Sequence, residues 1–356
     1  MDLISIVTSV YNKADCLERF FDAVKSQSYA NLEIVAVNNG STDESPSILR
    51  AHALQDSRIR IIDIADNNGP ASGYARGIEA VSGDCFCLVD ADDDFNADYI
   101  EKLHAALVAH EADVAMCVND IVWEDGRRYH KPWPEQDVRV IEGEEACRLP
   151  LQLLDELNRK YFGCPMPEIG AMWCKMYRTS LIRDHHLNLE DGLWVWCDFV
   201  FHLQVMQQVK KMVYIKTTCY HNRMSEDSVT RPKSFQENSV IRILQGTDRI
   251  HEVCLGMRVP GLEEASNRFY FNRIREIANI YYAACSSGVL TRKQLDERMD
   301  RVMEHPFARQ LCSSGRLPDK TWKEGFQLFA WQHHLTAQTY LKKRLETRVK
   351  ALLHRS

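Results

Sequence analysis

The sequence predicts an α/β protein: a mainly parallel, Rossmann-like sheet with helices on both faces, followed by a helical C-terminal region. Three observations carry this prediction. Short apolar runs ("LISIVTSV", "LEIVAVN", "IRIIDI", "CFCLVD", "DVAMCVND") recur with helical stretches over 13–28, 43–56, 70–81 and 96–110 between them. Strands separated by helices of about ten to fifteen residues are βαβ units, which build parallel sheets covered on both faces. Beyond residue 235 the pattern becomes helical, which divides the chain into a sheet domain, 1–230, and a helical region, 231–356.

Each element has its local signal. Asn12 is placed to cap a helix starting at Lys13, and "NNGSTDES" supplies a turn with Asp43 and Glu44 in the first turn of the next helix. The fourth strand runs into "CFCLVDADDDF", with Asp90, Asp92, Asp93 and Asp94 inside five positions. Carboxylates that close repel one another unless a cation or hydrogen-bond donors offset the charge. Asp94 is expected to cap a helix beginning near Asn96, and Asp93 to be partly structural. Near residue 120 the rhythm changes to "WEDGRRYHKPWPEQD", then a helix near 143–161 and the Gly/Pro-containing "FGCPMPEIG". Five of the seven tryptophans, Trp123, Trp133, Trp173, Trp194 and Trp196, fall in this middle third.

The balance of 44 basic against 50 acidic residues excludes a general nucleic-acid binder, whose footprint is a clustered basic face. No run of about 18 apolar residues and no signal-peptide pattern occurs, so the expected location is the cytoplasm. Twelve cysteines are scattered without a CxxC pair, which reads as reduced, mostly buried thiols. The final helix places Leu341, Leu345, Val349 and Leu352 on one stripe, with six Lys or Arg against one Glu in the last sixteen residues. Two readings stay open for it: docking on an anionic membrane surface, or a terminal helix with a solvated basic face.

In open α/β sheets ligands bind beyond the carboxyl ends of the strands. Those ends carry Tyr11 and Asn12, Asn38 and Asn39, Asp66 to Asn68, and the aspartate cluster. Asp90-x-Asp92 puts two carboxylates where a hard divalent cation can be held with phosphate oxygens completing its shell. An acidic loop that is merely solvated has the same composition.

The segment "SIVTSVYNKADCLERFFDAVKSQSYANLEIVAVNNGSTDES" resembles the N-terminal signature of family 2 glycosyltransferases, which have the GT-A fold. Further matches follow in family order: "NNGPASGYARG", "LVDADDDF", "AMWCKMYRTSLI", "WVWCDFVFHLQ" and "CYHNRMSEDSVT", covering about residues 3–230. The resemblance implies an inverting, metal-dependent transferase that moves a sugar from a nucleotide donor, UDP-linked by default, to a bacterial surface glycan. It implies a nucleotide site of Thr8, Val10, Tyr11, Asn39, Asn68, Arg76, Asp90 and Ala91, with Mn²⁺ or Mg²⁺ on Asp92 and a possible third ligand in His221. It also makes Asp198 the general base. From tryptophan chemistry, one or two of Trp133, Trp173, Trp194 and Trp196 are expected to face the acceptor, a glycan or lipid-linked glycan.

Departures from the pattern are informative. Ser9 replaces a proline, Gly77 an asparagine and Cys197 the glutamate beside the base. Asn39 stands where relatives commonly have Asp; a carboxylate only accepts, whereas an amide accepts or donates, so cytosine stays open beside uracil. A catalytically silent nucleotide-binding scaffold and a sugar nucleotidyltransferase are the competing readings, the latter lacking its early G-x-G-T-R loop. The helical region could also serve a homodimer.

Overall fold

The structure, a computed structural model, describes residues 1–130, 136–157, 169–224, 235–314, 317 and 320–333. Trp133 and the basic helix expected over 338–356 lie outside the described residues. The chain forms two compact units, residues 1–231 and 232–356.

The first unit opens β1 (Ile4–Val10), α1 (Ala14–Lys25), β2 (Leu32–Asn39), α2 (Ser45–Gln55), β3 (Ile59–Ile64), α3 (Pro70–Ala80) and β4 (Cys85–Leu88). It continues with β5 (Asp94–Phe95), α4 (Tyr99–Ala109), β6 (Val114–Trp123), β7 (Arg128–His130), β8 (Val138–Glu142), α5 (Leu149–Leu157) and β9 (Lys175–Arg178). It ends with α6 (Thr179–Asp184), α7 (Cys197–Gln208) and β10 (Lys211–Met224). The sheet order is β3-β2-β1-β4-β9-β6-β10-β5, with β7 on β6 and β8 on β10. β3, β2, β1 and β4 are mutually parallel, as are β6 and β10, while β9 is antiparallel to both β4 and β6.

The central strands are apolar along nearly their whole length because both faces are covered; Ile4, Ile6, Val7 and Val10 of β1 are all fully buried. Helix α1 packs through Leu17, Phe20, Phe21 and Val24, one stripe at helical spacing. Helix α3 lies unusually close to the sheet: a Cβ on Gly73 would meet Ser9 Oγ at 1.9 Å, and one on Gly77 would meet Val7 Cγ1 at 2.3 Å.

Three local expectations are corrected. Asn12 does not cap α1; it sits at φ 51° and its Oδ1 accepts from the Thr42 N–H at 2.8 Å, tying together the loops after β1 and β2. Asp43 does the capping instead, accepting from the Ala14 N–H through Oδ2 (3.1 Å) and from the Ser45 N–H through Oδ1 (3.0 Å). Asp94 caps no helix: it lies in β5 opposite His221 of β10, and α4 begins only at Tyr99. The helix expected over 143–161 is a 3₁₀ turn, Ala146–Arg148, followed by α5.

The second unit holds α8 (Glu237–Gly256), α9 (Leu262–Ser286), α10 (Arg292–Glu304), α11 (Pro306–Ser314) and α12 (Trp322–Gln332) among its described residues. Its core gathers Phe271, Ile274, Ile277, Ala278, Leu295 and Trp331, with α10 and α12 both opened by capping boxes at Thr291 and Thr321. Among the described residues no helix is long and apolar enough to cross a membrane, and the eleven described cysteines are free thiols.

Candidate active site

Parallel pairing of β1 with β2 and β4 brings Tyr11, Asn39 and the aspartate loop to the same carboxyl edge of the sheet. The protein itself supplies what offsets the crowded charge. Lys13 Nζ lies 2.5 Å from Asp92 Oδ2, and Arg19 donates to the Asp92 carbonyl at 2.8 Å. Asp94 is held between Arg19 (2.7 Å) and Arg223 (2.8 Å). Asp93, 2% exposed, accepts from the Tyr220 hydroxyl at 2.8 Å and the Arg223 N–H at 2.8 Å. Asp90 accepts from the Tyr74 hydroxyl.

The residual repulsion is visible in protonation. Burial, then the neighbouring Asp92 charge, raises Asp90 to about 6, and burial with Asp90 and Asp92 pushes Asp93 well above the carboxylate range. Burial works against the Lys13 ammonium, but Asp92 beside it holds its pKa above the ordinary lysine value. Asp93 and Asp94 thus anchor the loop to β10 and α1, and Asp90 and Asp92 are left facing the strand mouth.

On the neighbouring strand, Asn39 is 2% exposed and its Nδ2 donates to the Gly69 carbonyl at 2.9 Å. A carbonyl partner requires the amide NH₂ on that side, so Asn39 Oδ1 is the free end, without a partner among the described residues. Tyr11 is 43% exposed at this edge, whereas the Thr8, Val10 and Ala91 side chains are buried, so those three can line a ligand through backbone alone. Asn68 is exposed, and its neighbour Asn67 is the residue in contact, accepting from Gly69 N–H at 2.8 Å and from Asn39 at 3.4 Å. Arg76 is exposed and turned to Glu79 (3.1 Å) and Asp191 (3.6 Å).

Helix α7 carries Asp198 in its first turn, where the helix dipole favours a carboxylate. The chain enters it through Trp196 at φ 65°, a left-handed residue that turns sharply into the helix. His202, fully buried, locks this turn: Nδ1 is 2.7 Å from the Asp198 carbonyl and Nε2 2.7 Å from the Tyr177 hydroxyl. Burial and the nearby Lys175 charge push His202 well below the ordinary histidine value, so it is a neutral strut. Burial raises the Cys197 thiol, and the charges of Asp198 and Asp90 both add to the shift. Trp173 stacks on Tyr220 at 5.4 Å and 4°, and the Trp194 ring covers Gly69, so both belong to this edge; Trp196 packs edge-on to Phe199.

His221 is held by two side chains rather than turned to Asp92. Its Nδ1 is 2.5 Å from Asp120 Oδ1, and its Nε2 is 2.9 Å from Asn96 Oδ1, whose amide is oriented by Nδ2 donating to the Thr218 carbonyl. Both ring nitrogens are therefore already engaged by side chains of the protein.

Among the described residues no group of three His, Cys, Asp or Glu side chains surrounds a common point. Asp92, with its side chain 37% exposed, offers one hard carboxylate. That donor set fits a cation that takes the rest of its shell from phosphate oxygens and water, the habit of Mg²⁺ and its kin at diphosphates.

The sequence profile described as Glycosyl transferase family 2 matches residues 5–183, just over half of the 356 residues. The chain belongs to this family. Among curated relatives, glycosyltransferase GlyA of Streptococcus pneumoniae is 36% identical over 239 residues, covering 65% of this chain and 32% of GlyA. Succinoglycan biosynthesis protein ExoO of Rhizobium meliloti is 29% identical, covering 64% of this chain and 62% of ExoO. The match therefore spans less than two thirds of either relative. Glycosyltransferase YibD of Escherichia coli is 22% identical over 93% of this chain and 92% of its own. The crystal structure of S. aureus TarS 1–349 with UDP-GlcNAc superposes with a TM-score of 0.63 at 15% identity, over 95% of this chain and 89% of that one. Mannosyltransferase PcManGT of Pyrobaculum calidifontis, with GDP-Man and Mn²⁺, gives 0.51 at 14% identity, over 95% and 86%. At these identities the superpositions establish the GT-A fold.

The residues that the family motifs do not single out are Lys13, Arg19, Arg223, Tyr74 and Tyr220, the groups that make the aspartate loop tolerable. Their sequence signal was weak: Lys13 directly follows "YN", and Tyr74 sits in "SGYARG".

Proposed function

We propose that the chain is an inverting glycosyltransferase that transfers a sugar from a nucleoside diphosphate donor to a hydroxyl of a growing surface glycan. The observation that carries this reading is the sheet edge at which parallel β1, β2 and β4 bring Tyr11, Asn39 and the Asp90–Asp92 pair together, within a chain whose residues 5–183 match family 2; Asp198 is assigned as base on the family resemblance. UDP is the nucleotide this reading favours: Asn39 Oδ1 is unpaired but enclosed among the described residues, and a nucleobase that reaches it would find an acceptor for the N3–H of uracil and nothing for the bare N3 of cytosine.

In this reading Asp90 meets the ribose side of the donor and Asp92 the diphosphate side. A divalent cation, when bound on Asp92, supplies positive charge to the departing diphosphate. Asp198 takes the proton of the acceptor hydroxyl as that oxygen attacks the anomeric carbon from the face opposite the leaving group, which inverts configuration. The neutral His202 strut and the Tyr177 hydroxyl fix the helix turn from which Asp198 projects, so the base is positioned by buried groups that do not themselves titrate near neutrality. The tryptophans Trp173 and Trp194 border the same edge, where an aromatic face can receive a pyranose. The name of ExoO, a succinoglycan biosynthesis protein, supports a place in polysaccharide assembly.

The test is turnover of a panel of UDP-, dTDP- and GDP-sugars with Mn²⁺, comparing wild type with Asp198→Asn. Loss of a general base lowers kcat by about 10²–10⁴-fold, and UDP affinity by calorimetry should not change. A variant that turns over donor as fast as wild type rules out Asp198 as the base.

A further inference from the structure

One side chain reaches both ends of the turn that carries the candidate cation carboxylate. β10 slips twice against β6 on its way to the strand mouth: Ile215 pairs with Cys117, Thr218 with Val118 and Tyr220 with Asn119, so β10 holds extra residues there. Bulges of this kind re-aim the side chains beside them. The Thr218 carbonyl accepts from Asn96 Nδ2 at 3.0 Å and the Cys219 carbonyl from the Asn96 N–H at 2.9 Å, which docks the far end of the aspartate loop on β10. Tyr220 follows directly and is fully buried.

The Tyr220 ring needs no hydroxyl for its packing. It stacks on Trp173 (5.4 Å, 4°) and Phe95 (6.5 Å, 11°) and tilts against Tyr99 (5.7 Å), contacts that a phenylalanine would make equally well. The hydroxyl leaves this aromatic cluster for the aspartate loop, where it accepts from the Asp90 N–H at 3.1 Å and donates to Asp93 Oδ2 at 2.8 Å. Asp90 and Asp93 are the first and last residues of a turn closed by the Asp93 N–H on the Asp90 carbonyl at 3.2 Å, and Asp92 is its third residue. Asp93 also accepts from the Arg223 N–H at 2.8 Å and from Asn222 Nδ2 at 3.2 Å, so the hydroxyl is not needed merely to satisfy that carboxylate. What it adds is a tie from both ends of the turn to one point on β10.

We infer, on the proposed reading of Asp92 as the cation's carboxylate, that Tyr220 is a positioning residue of the donor site: its hydroxyl fixes the Asp90–Asp93 turn and thereby the direction in which Asp92 meets a divalent cation. Direction matters more here than in a closed metal cage. A cation that takes a single protein carboxylate and completes its shell with phosphate oxygens and water has no second side chain to correct a misdirected one. Groups that orient a metal ligand change metal affinity by about 10–100-fold when removed. Without the hydroxyl, the Asp90 N–H loses its partner and the entry of the turn is no longer tied to β10.

The experiment compares the full wild-type chain with Tyr220→Phe, which keeps the ring contacts, and with Tyr29→Phe, which removes a tyrosine hydroxyl bond, to the Asp2 carbonyl at 2.7 Å, elsewhere in the same unit. Mn²⁺ binding is measured by electron paramagnetic resonance at saturating UDP, and hydrogen exchange over residues 88–95 is followed in the metal-free chain. Tyr220→Phe is expected to weaken Mn²⁺ binding about tenfold or more and to speed exchange over 88–95, while Tyr29→Phe leaves both as in wild type. A merely structural hydroxyl would lower the thermal midpoint and leave Mn²⁺ binding by the folded chain unchanged. The positioning role is overturned if Tyr220→Phe binds Mn²⁺ as wild type does, if exchange over 88–95 is unaltered, or if Tyr29→Phe weakens Mn²⁺ equally. A wild type that takes up UDP but no Mn²⁺ shows instead that the reading of Asp92 has failed, and the role of Tyr220 falls with it.

Discussion

Replacing Lys13 by glutamine removes the ammonium that lies 2.5 Å from Asp92 Oδ2. A cation that takes Asp92 as a ligand has to displace this ammonium and then share its surroundings with it. Two unit charges about 4 Å apart interact by about 4 kcal/mol at an effective dielectric constant of about 20. Both side chains here are about a third exposed, 35% and 37%. Measured exposed pairs fall to about 0.2–1 kcal/mol, so about 1 kcal/mol is the defensible figure. On that basis Lys13→Gln binds Mn²⁺ about fivefold more tightly than wild type in the absence of nucleotide. The opposite change is expected for UDP in the presence of EDTA, because the diphosphate loses a cation that could pass to it from Asp92. Electron paramagnetic resonance of free Mn²⁺ measures the first effect and calorimetry the second. Both should shrink as salt rises, since the screening length is about 10 Å at 0.1 M. If Lys13→Gln still binds UDP but its Mn²⁺ affinity is equal to or below that of wild type, the counter-ion reasoning is wrong. If wild type binds no UDP at all, the nucleotide site itself is wrong.

Other consequences are independent of Lys13. UDP should bind at least about tenfold more tightly than CDP, because cytosine would set its N3 lone pair against Asn39 Oδ1 and leave both acceptors unsatisfied; equal calorimetric affinities would contradict the amide orientation. Burial lowers His251 from 6.5 to about 4, so the unfolded chain takes up a proton that the folded second unit refuses. Stability from this group is complete above about pH 6.5 and is lost as pH falls toward 4, by at most about 3 kcal/mol. His251→Gln should flatten that part of a urea-unfolding profile against pH, and an unaltered slope would show that other groups govern it. Gly77→Ala puts a methyl 2.3 Å from Val7 Cγ1, and Val7 is fully buried in β1. Overpacking of about 1–3 kcal/mol outweighs the helix gain of about 1 kcal/mol, so urea denaturation should show a net loss.

The parts of this molecule that were legible in the sequence share a physical property: they are set by local periodicity. β1, β2, β4 and β6 are apolar runs because both faces are covered, whereas the edge strand β3 buries only Ile59, and the carboxyl ends of β1, β2 and β4 pointed to the candidate site. β9 was not legible as a reversed strand, because four residues carry no direction and its pairing with β4 and β6 is decided by residues about 90 and 60 positions away. Asp94 shows the same limit from the other side. A lone aspartate before a helical stretch satisfies the capping rule, but two guanidiniums from α1 and β10 offer it more than an exposed helix end does. Nothing near Asp94 in sequence identifies Arg19 or Arg223 among 44 basic residues. The partner of His221 was hidden for a related reason, since the register of β6 against β10 sets Asp120 directly opposite it. The four aspartates therefore had to be divided by tertiary contacts: Asp93 and Asp94 fasten the loop to β10 and α1. That fastening is what holds Asp90 and Asp92 at the strand mouth with a single lysine to displace.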